Sequence, residues 1–141
     1  MKRLFSSLFF LIALTVLTAG AAEVSSPSGT VKVVFSLDGT TPTYTVSFRG
    51  KTVIKPSRLG YELANAENLL DGFILAGEET SAFDETWKPV WGENSTIRNH
   101  YNELLVRLVQ SKTDRHMNIR FRVYDEGVGL RYEFPQEGKL N

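Results

Sequence analysis

The sequence predicts an all-β domain, an antiparallel β-sandwich, preceded by an export signal. Three observations carry this. Apolar and polar residues alternate with period two over several runs, the mark of half-buried strands. Gly, Asp and Pro punctuate the chain between those runs. The last three runs are joined by short polar turns, as in an antiparallel meander.

The chain opens with Lys2 and Arg3, and Leu4 to Leu17 is apolar apart from Ser6, Ser7 and Thr15. Ala19-Gly20-Ala21-Ala22 then offers small residues to a peptidase. This charged, apolar, small-residue order predicts a cleavable signal peptide over residues 1–22, with a mature start near Ala22 or Glu23. A membrane anchor is the competing reading, but the apolar run falls short of the roughly 20 residues a bilayer requires. The expected destination is the periplasm or the medium, with no membrane association after cleavage. Removing residues 1–22 takes away two basic residues and no acid, leaving 14 basic against 16 acidic residues. That balance, with basic residues scattered singly, excludes a nucleic-acid partner. The chain has no cysteine, so neither a disulfide nor a lipid-anchored Cys contributes. A mature chain of about 119 residues supports one modest core, burying roughly two-thirds of its unfolded surface.

Val31 to Leu37 places apolar residues at odd positions and ends at Asp38-Gly39. Tyr44 to Phe48 alternates again and stops at Gly50. Thr52-Val53-Ile54 reads as a short strand halted by Pro56, and Leu59 to Leu63 as another brief one. Residues 64–72 are polar and read as a loop; Phe73-Ile74-Leu75 is short and apolar. Residues 77–96 have no clean period and read as a long irregular excursion, a feature often tied to function. Asn99 to Val109 reads as a strand. Tyr101, Leu104, Leu105 and Leu108 also fit a helical spacing, but the flanking hairpin signals favour β. Ser111 to Arg115 is a polar turn, and His116, placed with it, reads as a solvated residue. Met117 to Tyr124 and Val128 to Phe134 alternate without a break around Asp125-Glu126-Gly127, and Pro135 closes the last run. That final strand leaves an open edge, which invites self-association or a covering segment.

Nucleophile elbows, phosphate loops, dinucleotide loops and His or Cys metal spacings do not occur. Asn94-Ser95-Thr96 matches the short glycosylation sequon, a weak signal. His100 lies in a polar cluster with Asn99, Tyr101, Asn102 and Glu103, where hydrogen bonding at a strand start is favoured over a functional contact. Both tryptophans, Trp87 and Trp91, lie beside Asp84 and Glu85. Aromatic faces next to carboxylates suit sugar binding, since rings stack on C–H faces and acids accept hydroxyl protons. The favoured alternative is that the two rings anchor the loop against the sandwich or a following domain. Adjacent Asp84 and Glu85 are a poor acid–base pair, because neighbours on a strand face opposite ways.

Phe83 to Glu93 and Ile97 to Leu104 resemble the N-terminal domain of glycoside hydrolase family 97. So do Ser26-Pro27, Pro42-Thr43-Tyr44, Lys55 to Gly60 and Asn118 to Pro135. The resemblance spans nearly all of residues 23–141. It implies part of a large, galactose-mutarotase-like sandwich, a partial supersandwich, belonging to an exo-acting α-glucosidase or α-galactosidase. It also implies a (β/α)8 barrel after Asn141 that carries the catalytic carboxylates and most ligands of a calcium ion. No catalytic or metal residue therefore transfers to this chain, and no cofactor is expected in it. The expected partners are the barrel and, through the full enzyme, an α-linked glucoside or galactoside. A stand-alone carbohydrate-binding module and a remnant without a ligand are the other two readings. Asp84, Glu85, Trp87, Trp91 and His100 are the candidate sugar or domain-interface contacts.

Overall fold

The computed structural model describes residues 21–135, so residues 1–20 of the expected signal peptide lie outside the described residues. Eight strands occur among the described residues: β1 (Ala21–Ser25), β2 (Val31–Asp38), β3 (Thr41–Phe48), β4 (Lys51–Arg58), β5 (Phe73–Trp87), β6 (Ile97–Gln110), β7 (Arg115–Tyr124) and β8 (Gly127–Glu133). They form two four-stranded antiparallel sheets, ordered β1-β2-β3-β4 and β5-β6-β7-β8.

The core lies between the sheets. Val31, Val33 and Phe35 of β2 and Val46 of β3 face Leu104, Val106 and Leu108 of β6 and Met117, Ile119, Phe121 and Val123 of β7. Period two makes this possible: the same face of each strand is apolar, and stacking the two faces removes both from water. β1 packs beside β6 and β2 beside β7. The Tyr44 ring tilts onto Phe121 at 5.9 Å between centroids.

Several elements differ from the sequence reading. β1 is a strand at the very start of the described chain, pairing Val24 with Val33 and burying Ala22. β4 continues through Pro56 rather than stopping there. β4 is an edge strand, and Pro56 falls in the register shift between the Tyr44–Ser57 and Val46–Ile54 pairs, so its missing N–H forfeits no ladder bond. Residues 59–63 are not a strand. Leu59 donates its N–H to the Pro42 carbonyl at 2.8 Å, and Tyr61 makes a lone bridge to Leu69. Gly60 between them has φ 143°, and a Cβ there would lie 2.2 Å from the Leu69 carbonyl oxygen, so only glycine fits.

The largest correction concerns residues 77–96. Most of that span is strand: after one register shift between Leu75 and Gly77, β5 runs to Trp87, and residues 88–96 are irregular. From Glu78 to Trp87 every residue is exposed, so neither face needs to be apolar and no alternation is selected. The 101–110 segment is strand, as favoured. Arg115 and His116 belong to β7, with His116 opposite Val109, and the turn is confined to residues 111–114.

Candidate functional site

β6 pairs with β7 only from Asn102 onward, where Asn102 meets Val123. Beyond that point Phe83–Trp87 and Ile97–Tyr101 pair with each other alone. The result is a two-stranded ribbon extending about 17 Å at 3.4 Å per residue. Residues 88–96 close its tip. This ribbon carries all five candidate contact residues: Asp84, Glu85, Trp87 and His100 on its strands, and Trp91 at its tip.

Register divides those positions between two faces. Asp84 opposite His100, and Thr86 opposite Arg98, continue the inner face that holds Leu104 and Val106. Phe83 opposite Tyr101, Glu85 opposite Asn99, and Trp87 opposite Ile97 continue the outer face. Asp84 and Glu85 therefore point apart. Asp84 accepts a bidentate pair of hydrogen bonds from Arg98, Nε at 2.8 Å and Nη2 at 2.7 Å. The Arg98 guanidinium holds the Asp84 carboxyl below the usual aspartate range, although the pair is exposed. His100 is half-buried and borders a shallow hollow of about 150 Å³ with Arg98, Tyr124, Asp125 and Glu126. Asp125 accepts from the Ser28 N–H at 2.9 Å and the Ser28 hydroxyl at 2.6 Å, which ties the 26–30 loop to the β7–β8 turn and lowers the Asp125 pKa.

The tryptophans are uncovered. Trp87 is 47% exposed, and Val90 and Trp91 are 89% and 90% exposed, so Trp91 does not anchor the tip against the sandwich. A shape of this kind presents apolar area to a partner or ligand at the end of a two-stranded hairpin.

The outer face of the second sheet holds a group that sequence reasoning missed. Glu103 is buried at 8% exposure and bridges Arg120 and Arg122, accepting from Arg122 Nε at 2.8 Å. Arg120 reaches across to Glu133, with Nε at 2.7 Å and Nη2 at 3.0 Å, and Arg131 Nε donates to the same Glu133 at 2.7 Å. Burial pushes the Glu103 carboxyl up, but the hydrogen bonds from Arg122 and Arg120 outweigh it and leave the pKa lowered. The Arg120 hydrogen bond lowers that of Glu133. The Arg122 guanidinium lies 4.8 Å from the Tyr101 ring centroid, and Tyr101 stacks with Phe83 at 5.2 Å. The sequence signal was available in the alternate positions Arg120, Arg122, Arg131 and Glu133, which line one face of a meander. Glu103 opposite Arg122 needs the register to be seen. Among the described residues, no group of three or more His, Asp or Glu is placed to hold a metal ion.

Residues 24–141 match the family model described as glycosyl-hydrolase 97 N-terminal. The chain belongs to this family. It is 29% identical over 140 residues to a retaining alpha-galactosidase of Bacteroides thetaiotaomicron, covering 99% of this chain and 20% of that protein. It superposes on a family 97 glycoside hydrolase from Pseudoalteromonas sp. strain K8, solved with panose and with acarbose, at a TM-score of 0.80 and 34% identity. That match covers 85% of this chain and 18% of the enzyme. A beta-arabinopyranosidase structure aligns at a TM-score of 0.74 with 25% identity, over 83% of this chain and 18% of its own. The family 97 domain described here thus spans about a fifth of the curated relative's length. The all-β sandwich expected from the sequence is the architecture found.

Proposed function

We propose that this chain is a non-catalytic N-terminal portion of an exported α-glycosidase, and that it packs on a (β/α)8 barrel and helps to shape the carbohydrate site. The observation that carries this reading is the β5–β6 ribbon, an arm whose Trp87, Val90 and Trp91 have no cover among the described residues. Interface cores are enriched in aromatics, and such an arm is suited to dock on a second domain. The related enzymes are about five times longer, which leaves ample chain for a barrel. Glycoside hydrolysis needs two carboxyl groups about 5–10 Å apart across one bond. Asp84 and Glu85 point to opposite faces, and Asp84 is already engaged by Arg98. The catalytic pair and the calcium ion expected of the full-length enzyme belong to its remaining chain, along with the choice between glucoside and galactoside.

The test is incubation of the purified chain with chromogenic α-glucoside and α-galactoside. No turnover is expected; activity that survives rigorous purification would place catalytic groups within this domain. The exposed Trp91 ring favours one second reading, a stand-alone carbohydrate-binding module. Maltose or galactose binding that disappears in Trp87→Ala/Trp91→Ala would establish it instead.

Export is part of the proposal. N-terminal sequencing of exported protein is expected to read from Ala22 or Glu23, and a Met1 start in that fraction overturns the signal peptide. Cleavage there leaves the Val24–Val33 pairing of β1 intact.

A further inference from the structure

One side chain of the ribbon is buried. Beyond Asn102 the β5–β6 pair has no third strand, and Phe83 to Trp87, Ile97 and Arg98 are exposed, yet Tyr101 is 6% exposed. It stands apart from the core between the sheets. A cluster on the outer face, at the root of the ribbon, covers it. Phe83 of β5 stacks on its ring at 5.2 Å between centroids, and Tyr124 of β7 tilts against it at 5.2 Å. The Arg122 guanidinium of β7 lies 4.8 Å from its centroid. Val123 is the last residue of β7 to pair with β6, so Tyr124 stands where three strands become two.

Arg122 is itself fixed. Its Nε donates to Glu103 at 2.8 Å, and Glu103 also accepts from Arg120. On the opposite face Asn102 Nδ2 donates to the Ser25 carbonyl at 2.8 Å and ties the root to β1. Past these residues, the polar contacts of the ribbon strands among the described residues are their own ladder and the Asp84–Arg98 pair. A two-stranded ribbon without a packed face is marginal in water, and an exposed ion pair adds little. Ring stacking and a cation over a ring supply the missing stabilisation at one point.

We propose that the Tyr101 cluster is a latch for the ribbon. Closed, it keeps residues 83–87 and 97–101 paired and holds Trp87 beside Ile97 at the outer end of the arm. Released, those residues unpair as one unit while the sandwich stays folded, a local opening that costs less than global unfolding. The latch goes beyond the domain role above and does not depend on what the arm contacts.

Native-state amide hydrogen exchange of the full chain, followed by NMR, tests the latch. The protected amides of 83–87 and 97–101 are expected to share one opening equilibrium and to exchange faster than those of 104–108 and 117–123. Tyr101→Leu keeps an apolar side chain but removes the stack, and is expected to speed ribbon exchange at least about tenfold. Tyr101→Phe keeps the ring and is expected to stay within about twofold of wild type. Arg122→Gln takes the cation from over the ring and is expected to speed ribbon exchange several-fold; it decides the matter where Tyr101→Leu does not fold. Ile119→Val loosens the core between the sheets, and is expected to speed exchange at 104–108 and 117–123 about fivefold while leaving the ribbon unchanged. Ribbon exchange unmoved in Tyr101→Leu, or raised as much in Tyr101→Phe, overturns the proposal. So does ribbon exchange that rises with the body in Ile119→Val, since the ribbon would then open only with the whole domain.

Discussion

The β5–β6 hairpin contains two regions that obey different rules although the backbone is continuous. Between Leu104 and Gln110, β6 is flanked by β5 and β7 and its inner face lies against the other sheet. Between Ile97 and Tyr101 the same strand has one neighbour and no facing sheet, and its partner residues Phe83–Trp87 are exposed on both sides. In the first region hydrophobic burial holds the fold. In the second, ladder hydrogen bonds and surface pairs such as Asp84–Arg98 hold the ribbon, and exposed ion pairs contribute little. The difference teaches where this chain keeps its stability and where it keeps surface available for contact.

The comparison is broken most severely in the body. Phe121→Ala removes a fully buried ring packed on Tyr44 and is expected to cost about 3–5 kcal/mol in urea unfolding. A loss under 1 kcal/mol would mean that the two sheets are not packed as described.

The outer-face network sharpens it. Glu103→Gln leaves Arg120 and Arg122 without their shared carboxylate and is expected to cost about 2 kcal/mol. The pH dependence has a defined sign. The Glu103 and Glu133 carboxyls have lowered folded-state pKa values, so their contribution is present above the unfolded carboxyl pKa and is lost as pH falls through the folded one. Stability measured by urea titration should therefore decline on the acid side of the ordinary glutamate range, and Glu103→Gln should flatten that decline. An unchanged acid limb in the variant would assign the pH dependence to other groups.

The smallest effect is expected at the ribbon tip. Trp87→Ala/Trp91→Ala should change folding stability by no more than about 0.5 kcal/mol and should reduce self-association in light scattering. Unfolding of this double variant would show that the rings belong to the core after all.

Legibility followed the same division. Val31 to Leu37 and Met117 to Val123 alternate because one face of each is buried, so their strands were readable directly. β5 was not readable beyond Leu75, because a strand exposed on both faces carries no period. Pro56 reads as a stop in the sequence because what makes it harmless, an edge position at a register shift, is a property of sheet order and register. Asp84, Glu85, Trp87, Trp91 and His100 were found by residue type and do share one ribbon. Their split between faces followed only for the adjacent pair Asp84 and Glu85, since the strand itself had gone unseen.

By itself, the sequence determined the all-β class, the paired meander of the last strands and the kinship with family 97, because local alternation and long motifs survive without knowledge of contacts. Only the tertiary structure decided that β5 and β6 outrun their sheet, that Arg98 takes Asp84, and that Glu103 gathers arginines from a neighbouring strand. Those features depend on register and on which faces lack a cover, and both are set by residues distant in the chain.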